Sequence, residues 1–175
     1  MGIAWIATFD DALDASVRRV WASLEAEKIG TTPGQLGEKP HISLFLGKDE
    51  EAEAAAAVFD GSRPPRMDMR LEPLGIFLGP SHVLYLTASP TERLLRFHRE
   101  IDEMLGSAGV HRDPQYIPGT CVFHCTLAVD LKQEDLPRAL KVLEAYDRPF
   151  EGRLAGMELV SYFPVRVLRD STIGD

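Results

Sequence analysis

The sequence has no apolar run approaching the roughly 20 residues of a membrane-spanning helix, so no such span is expected. Its opening, MGIAWIATFDD, lacks the basic segment and the long apolar core of a signal peptide. Ile6 stands where a myristoylation motif needs Ser or Thr. A cytoplasmic protein with no membrane partner is expected. Cysteine is scarce: Cys121 and Cys125 lie four apart in one strand-like stretch, which separates their Cα atoms by roughly 13 Å. A disulfide tolerates at most about 7 Å, so free buried thiols are expected. Basic charge is also short, with 19 Lys and Arg against 27 Asp and Glu, a net charge of −8 and no basic run. That excludes a long footprint on duplex nucleic acid, but not a nucleotide or a single RNA end. Cys121-x3-Cys125 has no second pair, and His82 and His111 have no ligand partners at metal-binding spacing. Neither metal nor other cofactor is expected.

What is present is one pattern written twice. At 175 residues the chain suits a single domain. An apolar stretch, IAWIATF, precedes Leu13, Val17, Val20 and Leu24, which fall on one helical stripe capped by Asp10 or Asp11 and stopped near Gly30. The loop GTTPGQLGEKP leads into the strand HISLFL, the helix-forming DEEAEAAAAVF, the breaker SRPPR and a strand over 67–78. The order then restarts at VLYLTAS. Ser89-Pro90-Thr91-Glu92 reads as a capping box, and Leu94, His98, Ile101 and Leu105 form the next helical stripe, with His98 packed or at an interface. A loop, HRDPQYIPG, enters the strand CVFHCTLAVD. A helix over QEDLPRALKVLEAY then presents Leu136, Leu140 and Leu143 on one face. The strand region RLAGMELVSYF completes the set, and DSTIGD reads as a polar tail. The expected fold is α+β, a single two-lobed domain over 1–175 built from a repeat of about 1–80 and 81–175. Equivalent strands then meet across a central cleft.

The repeat carries chemistry at matching places: His41-Ile42-Ser43-Leu44 and, 83 residues on, His124-Cys125-Thr126-Leu127. Strand alternation puts His41, Ser43 and Phe45 on one face, and His124, Thr126 and Ala128 on the corresponding face of the other strand. Two imidazoles can divide proton transfer near neutral pH, one as base and one as acid. Two hydroxyls can donate hydrogen bonds to anionic oxygens without adding charge. A phosphodiester, attacked on one side and losing an alcohol on the other, needs that set.

These residues resemble the two-histidine (2H) phosphoesterases, the superfamily of the 2'-5' RNA ligases and 2',3'-cyclic nucleotide phosphodiesterases. Both His-x-Ser/Thr motifs match, and Phe45-Leu46-Gly47 is similar to the ligase branch. The resemblance implies a duplicated, two-lobed fold of antiparallel sheets with helices outside, acid/base roles for His41 and His124, and phosphate binding by Ser43 and Thr126. The sequence departs from that branch at Val129, where an arginine is common.

Phe45, Phe77 and Tyr162 are candidate cleft walls as well as candidate core aromatics. Tyr116 and Arg112, in the loop entering the second motif, are candidate substrate contacts. The leading expectation is a metal-independent phosphodiesterase, monomeric, acting on the 2',3'-cyclic phosphate of a small nucleotide or RNA end. Joining of 2'-5' RNA ends, and a phosphate-ligand binding protein without turnover, stay open beside it.

Overall fold

The computed structural model describes residues 2–162 and 164–173. In chain order its elements are β1 (Gly2–Phe9), α1 (Asp11–Ala26), β2 (His41–Lys48), α2 (Ala52–Gly61), β3 (Asp68–Phe77), β4 (His82–Ala88), α3 (Glu92–Ser107), β5 (His124–Leu131), α4 (Leu136–Leu143), β6 (Phe150–Tyr162) and β7 (Arg166–Thr172). All strand pairings are antiparallel and form one seven-stranded sheet ordered β2-β1-β6-β3-β4-β5, with β7 also on β6.

The spine is β6, long enough to serve two neighbours in turn. Its first residues, Phe150–Arg153, pair with β3; Leu154–Tyr162 pair with β1, and Gly156–Ser161 hold β7 on the opposite edge. The two repeats therefore exchange their last strands. The strand closing the first repeat, β3, pairs with β4 of the second, and β6 pairs with β1 of the first. The outermost strands of this order, β2 and β5, lie beside each other.

Each long helix packs against the other repeat's histidine strand: α1 on β5 as well as β1 and β6, and α3 on β2. The α1 stripe is buried as expected, with Trp21 added to it. Trp21 Nε1 donates to the Thr126 carbonyl at 3.1 Å, so an α1 side chain holds the second motif from behind. Asp10 caps α1 by accepting the Leu13 amide at 3.0 Å, and its other oxygen accepts the Arg153 amide at 2.9 Å. One carboxylate thus fixes a helix start to the spine strand. Gly152 permits this, because a Cβ there would lie 2.6 Å from Asp10 Oδ1 and 2.5 Å from Leu13 Cβ.

Local readings fail where tertiary contacts decide. The α3 cap is Thr91, accepting the Leu94 amide at 3.2 Å, and not Ser89, whose own amide is taken by the Arg70 carbonyl. In α4, Ala139 and Leu143 are buried while Leu140 is exposed. The polar tail is not a tail: Asp170, Ser171 and Thr172 complete β7. Gly174 and Asp175 of that stretch, and Phe163 of the last expected strand, lie outside the described residues.

Replacing Asp10 with Ala removes both bonds to its carboxylate. Urea denaturation is expected to show a loss of about 1–2 kcal/mol with an unchanged m-value.

Candidate functional site

The motif strands are not regular. Along β1, Ile6 pairs with Ser43 but Trp5 pairs with Phe45, so Leu44 is an extra residue in β2. Along β4, Tyr85 pairs with Thr126 but Leu84 pairs with Ala128, so Leu127 is extra in β5. The same bulge therefore sits at the leucine of both motifs. A one-residue insertion reverses which side chains face inward. Phe45 accordingly turns into the core at 2% exposed, and Ala128 is fully buried. Leu46 and Val129 take their places on the cleft wall. The strict alternation expected from sequence holds up to Ser43 and Thr126, and is corrected beyond them.

Each bulge is followed by a clasp from the other repeat. Thr31, in the loop before β2, exchanges two backbone hydrogen bonds with Val129, at 2.9 and 2.8 Å. Asp113, in the loop before β5, donates its amide to the Leu46 carbonyl at 3.0 Å. His98 reinforces the second clasp. Its Nε2 donates to the Tyr116 carbonyl at 2.8 Å, the Leu44 carbonyl also interacts with the ring, and Phe123 lies edge-on at 5.0 Å. Burial lowers the His98 pKa, against the opposing pull of the Tyr116 and Leu44 carbonyls and of Asp102, and the packed ring positions Tyr116.

Between the two strands His41, Ser43, His124 and Thr126 line one cavity of about 250 Å³. Both histidines are tethered alike. His41 Nδ1 lies 2.7 Å from the Lys39 carbonyl, and His124 Nδ1 lies 2.6 Å from the Val122 carbonyl. A carbonyl only accepts, so each Nδ1 carries the proton and each Nε2 is left to exchange protons.

The surroundings of the two rings differ. His124 stands edge-on to Phe77 at 4.9 Å and 5.1 Å from Tyr85, and those two rings stack on each other at 4.2 Å. Burial lowers the His124 pKa, the Val122 carbonyl opposes this, and charge on His41 lowers it further. His124 is thus biased toward the neutral form. Both rings line the same cavity.

Of the candidate walls, Tyr162 lines the first cavity, and Phe77 lines a second recess of about 590 Å³ that shares His124, Thr126, Tyr116 and Val129 with it. Tyr116 faces both, and burial pushes its phenol up to about 12, so it remains a donor. Arg112 does not reach the cleft. Its guanidinium pairs with Asp102 at 3.3 Å and packs against Gly106 at the end of α3. Among the residues that escaped the sequence reading are Glu38, Lys39, Glu158, Tyr85 and Val167. Lys39 and Tyr85 carried a local signal, one being two residues before His41 and the other aromatic in the strand beside the second motif. Among the described residues no cluster of His, Cys, Asp and Glu is grouped to hold a metal ion, and no helix is long and apolar enough to cross a membrane.

A family model described as the 2'-5' RNA ligase superfamily matches residues 9–163. No curated protein sequence matches. Among solved structures, Escherichia coli LigT in apo form superposes with a TM-score of 0.66 at 14% identity, over 99% of this chain and 98% of that one. The Thermus thermophilus protein TT0787 gives 0.61 at 19% identity over 98% and 97% of the two chains, and Kluyveromyces marxianus Usb1 gives 0.54 at 10% over 95% and 96%. The E. coli protein has also been crystallised with 3'-AMP and with phosphate.

Two outcomes check this geometry. Phe45→Ala is expected to lower stability by about 3–5 kcal/mol, as a core aromatic does; a cleft residue would leave the denaturation midpoint in place. Burial pushes the thiols of Cys121 and Cys125 up to about 12. A disulfide reagent at pH 8 is therefore expected to leave the folded protein unlabelled and to titrate both thiols after denaturation.

Proposed function

We propose, from the premise that the chain belongs to the 2'-5' RNA ligase superfamily of two-histidine phosphoesterases, that it hydrolyses the 2',3'-cyclic phosphate of a small nucleotide or RNA end. The observation that carries this reading is the matched pair of Nδ1-tethered histidines lining one cavity with a hydroxyl beside each. The nucleotide and phosphate complexes of the structurally similar E. coli protein agree in ligand class. The acidic chain, with its small recesses, suits a short ligand better than a long duplex.

His124 is assigned as the base, because its surroundings favour the neutral ring. Its Nε2 takes a proton from water as the water oxygen bonds to phosphorus. The bond from phosphorus to one ribose oxygen breaks on the opposite side, and His41 Nε2 gives that oxygen a proton. Ser43 and Thr126 donate to the non-bridging oxygens, where negative charge grows. The product is a phosphomonoester, and the histidines return to their starting states by proton exchange with solvent. All four groups belong to the chain, so turnover is expected to survive treatment with EDTA.

The test is incubation of EDTA-treated protein with a panel of 2',3'-cyclic nucleotides, with the products resolved as 2'- or 3'-phosphates. His41→Ala and His124→Ala are each expected to lower kcat/KM on the order of 10²–10⁴-fold. Turnover surviving both single replacements would sink the assignment. A base must be unprotonated to act, so the acid limb of the pH profile is expected below 6.5, the ordinary histidine value from which His124 is lowered. An acid limb that stays put in His124→Ala would transfer the role of base elsewhere.

A further inference from the structure

The phosphate of such a substrate would enter a cavity with an unusual charge balance. Among the described residues lining the two recesses, Lys39 is the only lysine or arginine, and Glu38 and Glu158 line the same cavity. Those three side chains leave one net negative charge before the histidines are counted. An anion taken out of water requires compensation that hydroxyl donors alone do not supply.

Lys39 is built to supply it. Its backbone carbonyl is the group that tethers His41 Nδ1, so its stem starts beside the reacting centre. Its Nζ nevertheless pairs with Glu158 Oε1, across the cavity floor on β6. Ser43 pairs with Ile6, and Ile6 pairs with Glu158. Glu158 therefore lies two strand spacings from Ser43, roughly 10 Å between backbones. The ammonium thus lies over the floor that separates the motif strand from Glu158. The two partners also differ in freedom: the Lys39 side chain is 54% exposed and that of Glu158 11%. The carboxylate is fixed in the wall, and the lysine can move.

We propose that Lys39 is the phosphate-neutralising cation of this cleft, and that Glu158 parks it over the cavity floor and competes with the incoming phosphate for it. The proposal rests on the phosphodiester reading above and adds to it a residue and a direction of effect. With the cleft empty, Lys39 is neutralised by Glu158, so the motif does not sit beside an unpaired cation. When a phosphate docks on Ser43 and Thr126, the ammonium swings from the carboxylate to a non-bridging oxygen. Phosphate affinity is then the difference between two ion pairs, and it is weaker than a free lysine would give.

The test is direct binding of inorganic phosphate at low ionic strength, by calorimetry or 31P line broadening, with turnover of the cyclic nucleotide panel measured in parallel. Lys39→Met is expected to weaken phosphate binding by about tenfold or more, and Lys39→Arg to restore most of it. Glu158→Gln is the discriminating variant. A competing carboxylate predicts tighter phosphate binding, by about threefold or more, whereas a merely structural Glu158 predicts weaker binding or none. Thermal unfolding of the Arg and Gln variants separates misfolding from a change at the site.

Lys39→Met binding phosphate like the wild type would overturn the proposal, and so would Glu158→Gln weakening it. Wild-type protein that turns over cyclic nucleotides but binds no phosphate would overturn this inference and leave the hydrolytic reading in place. Absence of both binding and turnover would overturn both.

Discussion

The cleft depends on one extra residue in each motif strand. A regular β2 would carry His41, Ser43 and Phe45 on the same face and would expose a large aromatic to the site. The bulge at Leu44 lets the strand present histidine and hydroxyl to the cavity, then bury two consecutive apolar residues, Leu44 and Phe45, and return to the cavity with Leu46. Leu127 does the same for β5. As the end strands of the sheet order, β2 and β5 also have backbone groups open on their outer edges, and the clasps from Thr31 and Asp113 occupy some of them. Because each clasp comes from the opposite repeat, the element that satisfies one strand's backbone also fixes the distance to the other strand. The spacing of the two histidines is thus set by hydrogen bonds rather than by side-chain packing alone.

The two halves share a pairing frame, yet the sides they present to the cleft are unequal. By pairing register Ile6 corresponds to Tyr85, and Glu158 to Gly75. The Tyr85 ring lies over Gly75, where a Cβ would come within 2.4 Å of it. One wall is therefore aromatic, built from Phe77 and Tyr85 against His124. The other combines aliphatic residues and Tyr162 with the ion pair Lys39–Glu158, beside His41. One histidine is shielded by rings and the other stands beside an ion pair, so the two imidazoles have unlike surroundings. The four motif side chains are alike; what surrounds them is not.

Much of this was legible in the sequence because it is local. The paired motifs, the helical stripes and the strand–helix order depend on neighbouring residues. What was not legible has a common cause. The bulges follow from pairing with β1 and β4, so period-two alternation placed Phe45 and Ala128 on the wrong face. The strand β7 is mostly polar and charged, and forms because β3 leaves one edge of β6 open to pairing. Ser89 looked like a helix cap until the Arg70 carbonyl took its amide. Arg112 lies in the loop that feeds the second motif, yet Asp102 on the preceding helix claims it. Lys39 and Glu158 are 119 residues apart, and no spacing rule links them.

The exchange of β3 and β6 between repeats sets the order in which the molecule can be completed. During synthesis, β1, α1 and β2 emerge early, but the spine strand they need is the sixth of seven. Residues 2–48 therefore wait for residues 150–162 before β1 gains its second neighbour, and an unpaired strand edge persists in the interim. Pairings of such long sequence separation carry a large loop-closure cost and favour slow, late assembly. The strand that carries His41 gains the support of the spine, through β1, only when almost the last strand arrives. The cavity that His41 and His124 line together, with Glu158, Val160 and Val167, is therefore completed only with the whole fold.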